Sequence, residues 1–303
     1  MAALDRSLLV VIVDVNPAMW TAEAAGEHAP FVPIIRHLCM FINAFRALDG
    51  GNRLAIVACH AGKPTMLIRA DEELDRSLHT VLDTALVRVA CDAPAAGTTA
   101  TSLSSALSMA LCHIHRHVAP GAREERAQVL VLLATPDDPA QYNSVMNCIF
   151  AAQRAAIMID CFAIRTSSTF MQQAAHMTGG VYVEPTAQQE LGLAQLLITL
   201  ALPDRACRAL LRQPKAHDVD FRAACFLTNQ LLDRAYVCSV CLSIFHHGDI
   251  IECPACRSRF PPPPRLARKR AKRAVAPAHG GPVIGGAHAA AAGAGSSAPR
   301  PAL

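Results

Sequence analysis

Up to about residue 202, apolar positions follow two alternating rhythms. Short continuous runs of strand length are separated by longer runs with helical spacing, the pattern of a mostly parallel sheet covered on both faces. The predicted strands are Leu8–Val13, Arg53–Ala58, Thr65–Ile68, Gln128–Leu133, Ala156–Ala163 and Gly180–Val183. Between them, "IIRHLCMFINAFRALDGG" begins near Pro33 and stops at Gly50 and Gly51. "SSTFMQQAAHMTGG" has serine caps in front and a glycine pair behind. Only "CHAGKP" separates the strands at Arg53 and Thr65, which is too short for a crossover helix. That pair is expected to be an antiparallel hairpin at a sheet edge. "LGLAQLLITLAL" from Leu191 reads as a buried helix interrupted by Gln195 and Thr199, and no run is apolar for long enough to predict a membrane span.

After residue 202 the rhythm changes. Residues 203–222 carry prolines and charges with little periodicity and read as a linker, residues 223–262 hold paired cysteines, and 263–303 form a basic tail rich in Ala, Gly and Pro. The tail has no patterned apolar face and is expected to be disordered. The net charge of +4 is an average over unlike parts: seven Lys or Arg and no acid follow Pro264, which leaves −3 on residues 1–264. "RLARKRAKR" is a compact basic cluster of the kind that serves nuclear import. The amino terminus imitates a secretory leader, but Asp14 interrupts its apolar stretch, so no leader is expected. Of 12 cysteines, eight stand singly, which fits a reducing compartment. Cys39, Cys112 and Cys161 are predicted to be small core residues.

Cys238-x2-Cys241 and Cys253-x2-Cys256, eleven residues apart, are the strongest chemical signal. Each pair brings two thiolates onto one ion, and two pairs complete a tetrahedron around Zn²⁺, a closed structural site. The intervening "LSIFHHGDIIE" predicts two short strands, with His246 and His247 in the turn. Two isolated redox dithiols fit the spacing less well, because such a pair sits alone at a helix start. A RING needs eight ligands, whereas this segment has four cysteines, the two histidines and a distant Cys225. His113 and His117 share a helix face, without the glutamate of an HExxH motif, and read as a solvated face. Phosphate-loop, dinucleotide and nucleophile-elbow motifs are absent, so no catalytic residue is assigned.

In open sheets, ligands bind beyond the carboxyl ends of the strands. Here those ends carry "DVNPAM", "AGTTATSLSSAL" and "TPDD". The arrangement resembles the von Willebrand A fold, whose Mg²⁺ site takes a D-x-S-x-S loop, a threonine and a second aspartate. Asp14 stands, but Asn16 and Ala18 replace the serines; Thr98 or Thr99 and Asp137 match the other positions. With two hydroxyl ligands gone, the expectation is that Asp14 fixes the turn through loop amides and that no Mg²⁺ binds.

The stretches "LLVVIVDVNP", "NRLAIVACH", "LSMALCHIHR", "QYNSVMNCIFAAQ", "TGGVYVEP" and above all "YVCSVCLSIF" carry a further resemblance. From about Leu8 to Phe260 the chain is similar to the subunit 3 family of the general transcription and DNA-repair factor TFIIH. That family also has Asp-x-Asn-Pro in the first loop. The chain departs from it in a shorter segment near Gly62 to Asp71 and in its long tail. The resemblance implies a non-enzymatic scaffold subunit of the TFIIH core in the nucleus, acting in transcription initiation and nucleotide excision repair. Its implied main partner is the RING-bearing von Willebrand A subunit, which would meet both the A-like domain and the finger. Two other readings compete: an autonomous nucleic-acid-binding ribbon and a Mg²⁺-dependent adhesion domain. The first is disfavoured by charge, since Tyr236–Phe260 has two Arg against two acids.

Overall fold

The computed structural model describes residues 6–20, 31–60, 64–71, 80, 82, 101–118, 125–213, 219, 221–228, 231–248 and 251–260. Thr98, Thr99, Asp249 and the basic tail lie outside the described residues. Internal contacts divide the chain into two units, residues 1–248 with 254–256 and residues 249–253 with 257 onward.

In the larger unit the strands are β1 (Arg6–Asp14), β2 (Arg53–Cys59), β3 (Thr65–Ile68), β4 (Glu125–Leu133), β5 (Met158–Ala163) and β6 (Tyr182–Val183). Between and after them run α1 (Pro17–Trp20), α2 (Phe31–Leu48), α3 (Leu103–His117), α4 (Tyr142–Arg154), α5 (Thr169–Thr178), α6 (Ala187–Glu190), α7 (Leu193–Leu196) and α8 (Arg205–Leu210). The sheet order is β3-β2-β1-β4-β5-β6, and only β3 runs antiparallel, as the short hairpin connection predicts. This is the mostly parallel α/β sheet with one antiparallel edge strand expected from the rhythm of the sequence.

Strand β1 is central, so successive side chains enter opposite cores. Leu9, Val11 and Val13 meet Ile34, Leu38, Phe41 and Phe45 of α2, joined by Leu193 and Leu197. Leu8, Val10 and Ile12 meet Leu107 and Ile114 of α3, Ile149 of α4 and Met171 of α5. Each such side chain contributes about 1.5–3 kcal/mol by leaving water. Helix α2 is long and apolar enough by composition to cross a membrane, a property the periodicity did not assign. Seven of its residues are buried, among them Leu38, Phe41 and Ile42, which face the core.

Local signals set the ends of α5. The Ser168 side chain accepts from Met171 N, and Gly179 closes the helix at φ 75°. Gly180 is required for a different reason: a β-carbon there would lie 2.0 Å from the Ile159 carbonyl oxygen. The Leu191 stretch is broken rather than uniform, with α7 followed by a five-residue π turn at Leu197–Ala201.

Beyond the π turn the expected linker opens with α8, capped by Asp204, which accepts from Cys207 N at 2.7 Å and pairs with Arg126. Arg208 of α8 reaches back to the sheet, its two terminal nitrogens meeting the Asp160 carboxylate at 2.7 and 2.6 Å. Both side chains are buried, at 6% and 0% exposure, so the pair is dry. Val181 N and Gln128 Nε2 also donate to Asp160, while Arg208 donates to the carbonyls of Ala201 and Pro203.

Replacing Arg208 with Ala strands a buried carboxylate and is expected to cost about 3–5 kcal/mol. Urea unfolding should show a lowered midpoint with an unchanged slope. The double change Asp160→Leu with Arg208→Leu should recover most of that loss; if it recovers none, the pair is not the source.

Candidate metal centre

The paired cysteines sit on two turns of the same construction. In the first, Cys238 N donates to Ser243 O at 2.9 Å, and Leu242 N donates to Cys238 O at 3.0 Å, with Leu242 in the left-handed region at φ 61°. In the second, Cys253 N donates to Ser258 O at 2.9 Å, and Arg257 N donates to Cys253 O at 2.8 Å, with Arg257 at φ 59°. The repeat C-x-x-C-x-S is written in the sequence as "CSVCLS" and "CPACRS". Left-handed residues let the chain reverse within each C-x-x-C turn.

The four sulfur atoms, of Cys238, Cys241, Cys253 and Cys256, all lie within 4.8 Å of one another. Among the described residues this is the one group of three or more His, Cys, Asp or Glu placed to hold a metal ion. Four thiols and no open position fit a closed tetrahedral site for a thiophilic ion. A short hairpin precedes and follows the first turn, β9 (Tyr236–Val237) pairing with β10 (Ile244–Phe245) after an earlier pair, β7 (Ala223–Ala224) and β8 (Leu231–Leu232). His246 and His247 are exposed, stacked on each other edge to face, and outside the four-sulfur group.

Cys225 carries a feature that the spacing did not suggest. It is 2% exposed. Burial raises its thiol pKa, but hydrogen bonds from the Thr228 side chain and the amides of Thr228, Leu227 and His246 outweigh this and lower it to about 7. "CFLT" places Thr228 where each C-x-x-C pair has its second cysteine. The signal was legible as C-x-x-T upstream of C-x-x-C.

At the carboxyl edge of the sheet the candidate groups are committed to the protein itself. Asp14 is 1% exposed; its Oδ1 accepts from Asn16 N at 3.1 Å and its Oδ2 from Ala134 N and Thr135 N at 3.1 and 2.7 Å. Burial raises its pKa, while the Thr135 side chain and these amides oppose the rise. Asn16 Oδ1 accepts from Ala18 N at 3.2 Å, and Trp20 Nε1 donates to the Asp14 carbonyl at 2.9 Å. Asp137 serves α5, accepting from Ser168 Oγ at 2.5 Å and Phe170 N at 3.0 Å. Gln141 serves α3, taking Ser104 N at 3.1 Å and donating to Thr101 O at 2.6 Å. Among the described residues this donor set does not fit Mg²⁺: Ala18 offers no side-chain oxygen, and the Asp14 and Asp137 carboxylates are turned onto backbone amides.

Two expectations need correction. His113 is buried instead of solvated, because the chain after β3 folds over α3 and Ala70 N donates to its Nε2 at 3.3 Å. Its pKa is lowered by that burial first, then by His117. Cys112 is exposed, while Cys39 and Cys161 are core residues as expected.

Asp14→Asn places an amide donor against backbone donors and is expected to destabilise the fold by about 1–3 kcal/mol. Chemical unfolding with and without Mg²⁺ should give the unaltered chain one midpoint; a rise on adding Mg²⁺ would contradict the amide account.

The comparisons with known proteins agree on one family. The family model for transcription factor Tfb4 matches residues 6–88 and 69–257. The general transcription and DNA repair factor IIH subunit TFB4 of Arabidopsis thaliana is 34% identical over 282 residues, covering 84% of this chain and 89% of the relative. The corresponding subunit of Schizosaccharomyces pombe is also 34% identical, over 270 residues, with 84% and 89% covered. The crystal structure of the TFIIH p34 N-terminal domain superposes with a TM-score of 0.56 at 29% identity, spanning 65% of this chain and 99% of that domain. Sheet, carboxyl-edge loop and four-cysteine turns therefore belong together: the chain is a member of the transcription factor Tfb4 family.

Proposed function

We propose that this protein is a non-enzymatic scaffold subunit of the TFIIH core complex, acting in the nucleus in transcription initiation by RNA polymerase II and in nucleotide excision repair. The observation that carries the reading is the family match, which runs through the sheet and all four cysteines to residue 257. Its relatives are named as subunits of a general transcription and DNA repair factor.

The metal in this reading is Zn²⁺, held by Cys238, Cys241, Cys253 and Cys256 and structural in role. A segment of this size has too little core to hold its shape alone, so the ion's binding free energy becomes its folding free energy. No Mg²⁺ is assigned to the Asp14 loop. The proposed division is an A-like domain at 1–202, a linker at 203–222, the finger at 223–262 and a basic tail at 263–303.

A scaffold works through surfaces, and the polar groups at the sheet edge support that role because Asp14, Asp137 and Gln141 are spent on holding loops and helix ends. The partner assigned is the RING-bearing von Willebrand A subunit, with other core subunits around it. The described ribbon residues favour protein over nucleic acid: Tyr236, Val237, Val240 and Leu242 are exposed large apolar side chains. Phosphate recognition would require cations in their place.

Co-expression of the full chain with that partner should yield a one-to-one pair in EDTA-washed buffer lacking Mg²⁺, with the zinc retained. Failure to pair would sink the scaffold reading, and salt-sensitive binding of the chain to DNA would favour the autonomous ribbon instead. Separately, Cys253→Ser should lose the zinc and unfold the finger while the far-ultraviolet signal of the A-like domain persists. Collapse of the whole fold would contradict the two-module division.

A further inference from the structure

Leu242 occupies a position that favours glycine. Its φ of 61° lies in the left-handed region, where a β-carbon crowds the following carbonyl, and the turn needs that conformation because Leu242 N closes onto Cys238 O. Burial of the side chain would normally offset the strain. Here it does not, since Leu242 is 63% exposed, as is Val240 on the same turn. Among the described residues, packing therefore gives no reason for a leucine.

The turn is also held firmly. Ser243 is buried, its carbonyl accepts from Cys238 N, and its hydroxyl accepts from Asn143 Nδ2 of α4 at 3.0 Å. A strained, exposed and rigidly presented apolar residue is the kind of outlier from which a contact function follows. Residues 235–248 contain no Lys, Arg, Asp or Glu. An uncharged segment suits an uncharged, apolar partner surface better than a phosphate backbone.

We propose that Val240 and Leu242 form an apolar plug that seats in an uncharged, apolar pocket on the protein partner of this subunit. The inference rests on the scaffold reading above and adds to it the residues that select the partner. Leu242 is kept at some expense to folding because its side chain is used between chains. Arg257, at φ 59° in the second turn, carries the same backbone strain with a charged side chain and supplies the internal control.

The test uses the full zinc-loaded chain co-expressed with the RING-bearing subunit, and compares Leu242→Gly, Leu242→Asn and Arg257→Gly. Both Leu242 variants tolerate the left-handed conformation. The expected result is unchanged zinc content, an unfolding midpoint equal to or above that of the unaltered chain, and pairing weakened by about tenfold or more. Arg257→Gly should match the first two results and leave pairing intact. The plug is overturned if the Leu242 variants pair normally, or if both lower the midpoint, which would mean that Leu242 packs within its own chain. Loss of self-association by the isolated chain, instead of loss of pairing, would also overturn it and assign the residues to a second copy. Absence of pairing by the unaltered chain sinks the scaffold reading along with the plug, whereas normal pairing by the variants sinks the plug alone.

Discussion

A carboxylate in the middle of a fully buried strand is tolerable only if something neutralises it, and Asp160 of β5 is such a carboxylate. Its neutralising partner, Arg208, comes from 48 residues later, beyond the last helix of the sheet domain. The fork geometry of the guanidinium satisfies both carboxylate oxygens at once. Two more donors, Val181 N and Gln128 Nε2, complete the shell. The pair contributes little net energy after desolvation, but it specifies where the chain leaves the sheet. Helix α8 is held against the sheet at that fixed point. Gly180 serves the same corner, since no β-carbon fits against the Ile159 carbonyl.

The opposite edge of the sheet solves a different problem with the same means. In a metal-binding A domain an ion gathers three loops; here Asp14 gathers two of them directly by accepting amides from its own loop and from the loop after β4. Asp137 and Gln141 have been drawn into capping α5 and α3. The described carboxylates and amide of this edge are thus engaged in holding loops and helix starts.

The finger has the opposite character. Among its described residues it buries little beyond Phe245, Ser243 and the thiols of Cys225, Cys238 and Cys253, and leaves large apolar side chains outside, among them Tyr236, Val237, Val240 and Leu242. With so small a core, the four thiols, which could hold a metal ion, are the groups able to tie the segment together. The Asn143–Ser243 hydrogen bond then fixes the first cysteine turn to α4, so that the apolar tip is presented from a firm base.

The sequence by itself determined the sheet, its edge hairpin, the caps of α5 and the four converging cysteines. These follow from local signals: strand-length apolar runs, a connection too short for a helix, serine before and glycine after, and paired C-x-x-C. Tertiary structure alone decided the rest, because the relevant partners are far apart in the chain. Arg208 looked like one of several linker charges until Asp160 gave it a buried partner. His113 looked solvated until the chain after β3 covered it. The roles of Asp137 and Gln141 depend on helices whose starts are 30 or more residues away, and Leu242 reads as an ordinary apolar residue until its positive φ and its exposure are seen together. Periodicity reports which face a residue takes within its own element; what it meets there depends on the packing of elements that periodicity does not order.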